Sequence, residues 1–109
     1  PRIIGLGHAT ELLMTGDFID ASRAESIGLY HRVVPAENVH DEARSWAERL
    51  ACGPSFALGM TKEMLNREAS MDLDSAIEFE AQVQAACMED PNFRESYDAF
   101  TQKRKPLFC

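Results

Sequence analysis

The sequence predicts a mainly α-helical chain with at most one short strand, and three observations carry that prediction. Apolar residues recur at steps of three and four along most of the 109 residues. Asp, Gly and Pro stand where such stretches must start and stop. A single β-branched run, residues 29–34, is too short and too isolated to build a sheet.

Taken in order, the first helix covers about residues 8–15, with Ala9, Leu12 and Leu13 to one side and Gly16 as a left-handed stop. Asp20 is placed to cap a short helix through Ile27 by accepting free amide protons, and Gly28 ends it. Residues 29–34, closed by Pro35, are either one strand or an extended connection. A lone strand would need a sheet from elsewhere. Val39, Ala43, Trp46 and Leu50 then recur at helical spacing, with Glu37, Asp41, Glu42, Arg44 and Glu48 on the wet side, so one face of that helix is expected to be buried. Pro54 suits the start of the next helix, because its missing amide proton would be unpaired there, and Phe56, Met60 and Met64 follow at every fourth position. The longest helix, about residues 72–88, aligns Ala76, Phe79, Val83, Ala86 and Cys87, with Ile77 alongside. Asp90-Pro91 opens the last, which bears Phe93, Tyr97 and Phe100. These stripes read as core or interface, with Met60, Met64, Met71 and Met88 as adaptable filling.

The formal net charge of -7 conceals an asymmetry: residues 1–102 hold eight Lys and Arg against all 18 Asp and Glu, and Lys103, Arg104 and Lys105 stand together in the tail. A mostly acidic surface argues against nucleic acid as a partner, while a small anion can still meet the tail. Cys52, Cys87 and Cys109 are an odd number without a close pair, which fits neither a disulfide framework nor a zinc knuckle and favours a reducing cytoplasm. No apolar run approaches the roughly 20 residues that cross a bilayer, so no membrane partner is expected.

Chemistry is hard to find. His8, His31 and His40 share no helical face, so no metal site is expected. The serines lack a nucleophile-elbow context, Cys52 beside Gly53-Pro54 has no assignable base, and Gly5-Leu6-Gly7 is too short for a dinucleotide fingerprint. The acidic neighbours Glu78 and Glu80, and Glu89 and Asp90, lie in charge-rich segments that read as solvated helix faces. No catalytic residue is assigned.

Two motifs say more. The chain closes on Lys103-Arg104-Lys105-Pro106-Leu107-Phe108, directly after the aromatic stripe Phe93, Tyr97 and Phe100. Near its start, Glu11-Leu12-Leu13-Met14-Thr15-Gly16-Asp17-Phe18-Ile19-Asp20-Ala21 is followed by Ala24, Ile27-Gly28-Leu29 and Val33-Val34-Pro35. Both resemble the crotonase superfamily, the enoyl-CoA hydratases and isomerases, in its Leu-Thr-Gly, Ile-x-Ala, Gly-Leu-Val and Val-Val-Pro punctuation and its Lys-Arg-Lys-Pro-x-Phe close. The resemblance brackets nearly the whole chain.

That resemblance implies the C-terminal helical portion of a crotonase-like α/β fold over residues 1–109, with the N-terminal catalytic sheet core absent. Such hydratases carry their catalytic glutamates and oxyanion amides in the sheet-rich part, ahead of a Leu-Pro-Arg matched here by Pro1-Arg2, and no position matches either group. The implied parent enzyme hydrates a 2-enoyl-CoA or shifts its double bond, without a cofactor beyond the acyl-CoA substrate, as a homotrimer or hexamer. This segment alone would be inactive, supplying oligomer contacts and part of the CoA site. Lys103 matches the first lysine of the family's tail and is the leading candidate to meet an adenosine phosphate of CoA on a neighbouring subunit, with Arg104 and Lys105 secondary. An ammonium suits phosphate as a flexible point charge. Ser96, where many relatives have Gly, and the Asp90-Pro91-Asn92 loop depart from the pattern. The alternative is a non-enzymatic helical module that oligomerises or caps a partner through its Met- and Phe-rich faces.

Overall fold

The computed structural model describes residues 1–108 and contains six α-helices: α1 (Gly5–Thr15), α2 (Ala21–Ser26), α3 (Val39–Ala51), α4 (Ser55–Glu68), α5 (Leu73–Glu89) and α6 (Pro91–Thr101), with one 3₁₀ turn at Ala36–Asn38. The chain divides into two compact units, Pro1–Glu42 and the described residues from Ala43 onward.

In the first unit, α1 starts earlier than periodicity suggests, because the Gly5 N–H already bonds the Pro1 carbonyl at 2.8 Å and the turn runs on into helix. It stops at Gly16, whose φ of 69° lets its N–H reach the Leu12 carbonyl. Asp20 caps α2 as expected, its Oδ1 accepting from the Arg23 N–H at 2.7 Å. The exit from α2 is a Schellman motif: the N–H of Gly28, at φ 78°, bonds Glu25, and the N–H of Leu29 bonds Ala24. Residues 29–34 form no strand. Their backbone is satisfied locally instead, with the Tyr30 N–H bonded to the Ala24 carbonyl and the Val33 N–H to Glu25 Oε1 at 2.9 Å. This segment is a connection that bends at residues 29–31, so the strand reading is not met. Arg32 pairs with Glu42.

In the second unit α4 packs on α5 and α5 on α6. Pro54 sits one position before α4, at its N-cap. Asp72 caps α5 through the Ser75 N–H at 2.9 Å, and the Ser75 hydroxyl also donates to that carboxylate, which holds the Asp72 pKa below its usual range. The α5 stripe is covered in part, with Val83 buried and Ala76, Phe79 and Cys87 half-buried, while Ala86 and Ile77 are exposed. Arg67 of α4 lies with its guanidinium 5.0 Å from the centre of the Phe79 ring.

Burial departs from the sequence expectation elsewhere. The α3 stripe is largely uncovered: Val39 and Leu50 are 48% and 51% exposed, Trp46 is half-buried, and no residue of α3 is buried. Among the described residues the buried hydrophobic set is Ala9, Ala24, Val83 and Ala99. Ile3, Leu6, Leu13, Met14 and Phe18 are all exposed. The periodicity correctly located apolar faces, but these helices do not cover them.

Candidate functional site

At the end of α6 a sequence motif, an unusual backbone geometry and a cluster of charge coincide. Asp90 starts this helix by accepting from the Asn92 N–H at 2.8 Å, with Pro91 in the first turn, and Ser96 returns its hydroxyl to the Asn92 carbonyl. Ala99 is buried, which fixes one side of the helix. On other sides Phe93, Tyr97 and Phe100 are 43%, 61% and 83% exposed.

The helix ends in a second Schellman motif, built like the one after α2. The Lys103 N–H bonds the Phe100 carbonyl at 3.1 Å, and the Arg104 N–H bonds Ala99 at 3.0 Å. Here the left-handed position is held by a lysine, since Lys103 has φ 55° and is the only non-glycine with positive φ among the described residues. A Cβ makes that conformation cost roughly 1–2 kcal/mol, so surrounding contacts must hold it.

Those contacts come from Glu95. Its Oε1 accepts from Arg104 Nη1 at 2.5 Å and from the Leu107 N–H at 2.7 Å, while Oε2 accepts from Arg104 Nη2 at 3.0 Å. This two-pronged guanidinium–carboxylate pair is the strong form of an ion pair. The Arg104 hydrogen bonds, and then the Leu107 N–H, hold the Glu95 pKa down at about 2 and push that of Arg104 upward. Arg104 also donates to Gln102 Oε1 at 2.8 Å and to the Lys105 carbonyl at 3.1 Å.

The three basic candidates are therefore not equivalent. Arg104 is engaged within the chain, whereas Lys103 and Lys105 are exposed and have no ion pair among the described residues. Sequence reasoning missed Glu95. Its separation of nine positions from Arg104 matches no helical repeat, and an opposite charge across a helix end was the only available signal.

The remaining candidates do not assemble. His8 lies 3.6 Å from Glu11, which also approaches Arg23 at 4.0 Å, and no group of metal-ligating side chains forms among the described residues. Glu78 accepts from Gln82 at 3.3 Å, and Asp90 is spent as a helix cap. An open groove of about 510 Å³ along α5, lined by Asp74, Ile77, Glu78, Ala81, Gln82 and Ala85, is one face of a single helix. A smaller cavity of about 100 Å³ joins Pro54 and Ala57 of the α4 start to Cys87, Asp90, Phe93 and Ser96. Among the described residues no helix is long and apolar enough to cross a membrane.

Comparison with known proteins extends the motif match to the whole chain. The family model for enoyl-CoA hydratase/isomerase matches residues 1–109. The chain is 32% identical over 108 residues to 1,2-epoxyphenylacetyl-CoA isomerase of Escherichia coli, covering 99% of this chain and 41% of the relative. It is 34% identical over 108 residues to crotonyl-CoA hydratase of Syntrophomonas wolfei, covering 99% and 42%. The crystal structure of an enoyl-CoA hydratase from Bacillus anthracis superposes with a TM-score of 0.90 at 33% identity, over 98% of this chain and 42% of that one. The chain thus spans about two fifths of the length of these relatives. With its full length matched by one family model and its backbone followed closely by a solved relative, the chain belongs to the enoyl-CoA hydratase/isomerase family, the crotonase superfamily.

Proposed function

We propose that the chain is the C-terminal helical segment of an enzyme that hydrates a 2-enoyl-CoA or shifts its double bond, contributing oligomer contacts and part of the CoA site. In this reading the catalytic glutamates and oxyanion amides belong to the N-terminal sheet core, because none of the acidic residues here is arranged for acid–base work. The observation that carries the proposal is the pair of exposed ammonium groups of Lys103 and Lys105, without an ion pair among the described residues, beside the aromatic stripe of α6. Lys103 meets an adenosine phosphate of CoA from a neighbouring subunit, Lys105 supports it, and Arg104 ranks behind both because Glu95 occupies its guanidinium.

Mechanistically this contribution is uniform binding. A phosphate remote from the reacting carbons interacts equally with ground and transition states, so the tail raises affinity and leaves the chemical step alone. The exposed faces of α1, α3 and α6 support trimer or hexamer contacts and cover by the sheet core. Acyl-CoA is the substrate, no metal or further cofactor takes part, and the setting is cytoplasmic. Calorimetric titration of CoA and of dephospho-CoA into the intact protein tests the site. Tighter binding of CoA, with a difference that shrinks as salt rises, is the expected result, and equal affinities at low salt would defeat it.

The same exposed faces favour a second reading, a helical oligomerisation module without enzymatic activity. The intact mass of the cellular protein distinguishes the two, since only the second predicts a species of the 12.2 kDa of this chain.

A further inference from the structure

We infer that Glu95 is a positioning residue that divides the labour of the basic tail, with Arg104 as a structural clasp and Lys103 and Lys105 as the pair facing an anion. This rests on reading the tail as a CoA-phosphate site. Lys103 occupies a left-handed conformation that a lysine does not favour, and the Schellman bonds to Ala99 and Phe100 close the turn without anchoring the residues beyond it. Glu95 supplies the anchor on both sides of Lys105, through the Arg104 guanidinium before it and the Leu107 N–H after it. Lys105 is therefore bracketed and Lys103 is set at the base of the clasp.

Charge points the same way. Three adjacent cations repel one another, and Glu95 neutralises the middle one alone. The other acid close to this turn, Asp98, is approached by Arg94 at 3.7 Å. Two ammonium groups remain, separated by a neutralised residue, on a segment whose ordering is completed before any ligand arrives. Preorganisation of that kind improves affinity by removing the ordering cost from the binding step.

The test uses the intact protein with Glu95→Gln, which keeps the shape and removes the charge, and with the reversed pair Glu95→Arg plus Arg104→Glu. Hydrogen exchange of the Arg104 and Leu107 amides is followed without ligand, and CoA affinity, KM and kcat are measured alongside. Glu95→Gln is expected to speed exchange at Leu107 by about 5-fold or more, and to weaken CoA binding by about 2- to 5-fold with kcat unchanged. The reversed pair restores the ion pair but leaves the Leu107 N–H without its acceptor, because a guanidinium only donates, so protection should return in part at the Arg104 amide and not at Leu107. Unchanged exchange in Glu95→Gln overturns the clasp while leaving the anion reading standing. A loosened tail whose CoA affinity is unaltered, in a protein where Lys103→Ala is equally silent, overturns the anion reading and the positioning role with it.

Discussion

Replacing Lys103 in two ways separates its charge from its backbone. Lys103→Ala removes the ammonium but keeps a Cβ at φ 55°, whereas Lys103→Gly removes the ammonium and the steric conflict together. The left-handed region costs an L residue roughly 1–2 kcal/mol, and glycine's extra freedom in the open state offsets about 0.5–1 kcal/mol of the relief. Gly should therefore hold the turn better than Ala by about 0.5–1 kcal/mol, a 2- to 5-fold slower opening at the Arg104 amide that bonds Ala99. Both variants lose the same charge, and an exposed ion pair with phosphate is worth about 0.2–1 kcal/mol, or roughly 1.4- to 5-fold in the Kd for CoA. The assay is hydrogen exchange on the tail peptide of the intact protein, with CoA titrations at low and high salt. Expected are affinity losses that fade with salt and are no larger in the Gly variant than in the Ala variant, unequal exchange rates, and an unchanged kcat. Faster exchange in the Gly variant than in the Ala variant would refute the left-handed assignment. A salt-independent affinity, or a large fall in kcat, would refute the role given to the charge.

The same structure sets four further expectations. The purified 109-residue chain should not turn over crotonyl-CoA, since positioned acid–base groups are typically worth about 10²- to 10⁴-fold and oxyanion donors a comparable factor; turnover at an ordinary hydratase rate would sink this. That chain should self-associate through its exposed apolar faces, and light scattering giving a monomer mass over a wide concentration range would count against it. Asp20→Ala should cost about 1 kcal/mol in the opening of α2, read as faster exchange at the Arg23 amide, by loss of the cap. The Glu95 clasp has a pKa held below the ordinary carboxylate value, so its stabilisation is present above that value and lost as pH falls toward about 2. Leu107 protection, corrected for intrinsic rate, should persist at about pH 4, where an unpaired glutamate is more than half protonated; loss of protection already there would show an unperturbed carboxylate.

The helix plan was legible because each boundary has a local cause. Asp20, Asp72 and Asp90 cap where they stand, and Gly16 and Gly28 supply the left-handed turns. Residues 29–34 were ambiguous because β-branched composition speaks to local preference, while the decision came from a side chain eight positions away, Glu25. Periodicity marked the apolar side of α3 but could not say what lies against it, since a stripe encodes a demand for burial and leaves its source open. At the site, the cations were visible as a run. Their inequality was not, because it depends on Glu95 folding back across a helix end and on a lysine adopting a glycine conformation.

The small size of the buried residues has a consequence for tolerance to substitution. Ala9, Ala24 and Ala99 are enclosed, while Phe18 and Phe100 stand almost wholly in solvent. In a saturation scan of the isolated chain the usual hierarchy should invert, with alanines the intolerant positions and phenylalanines freely replaceable. Repeating the scan in the intact protein should leave the alanines unchanged and render a subset of the large exposed residues intolerant. The difference between the two maps would trace, residue by residue, the footprint of whatever covers these helices.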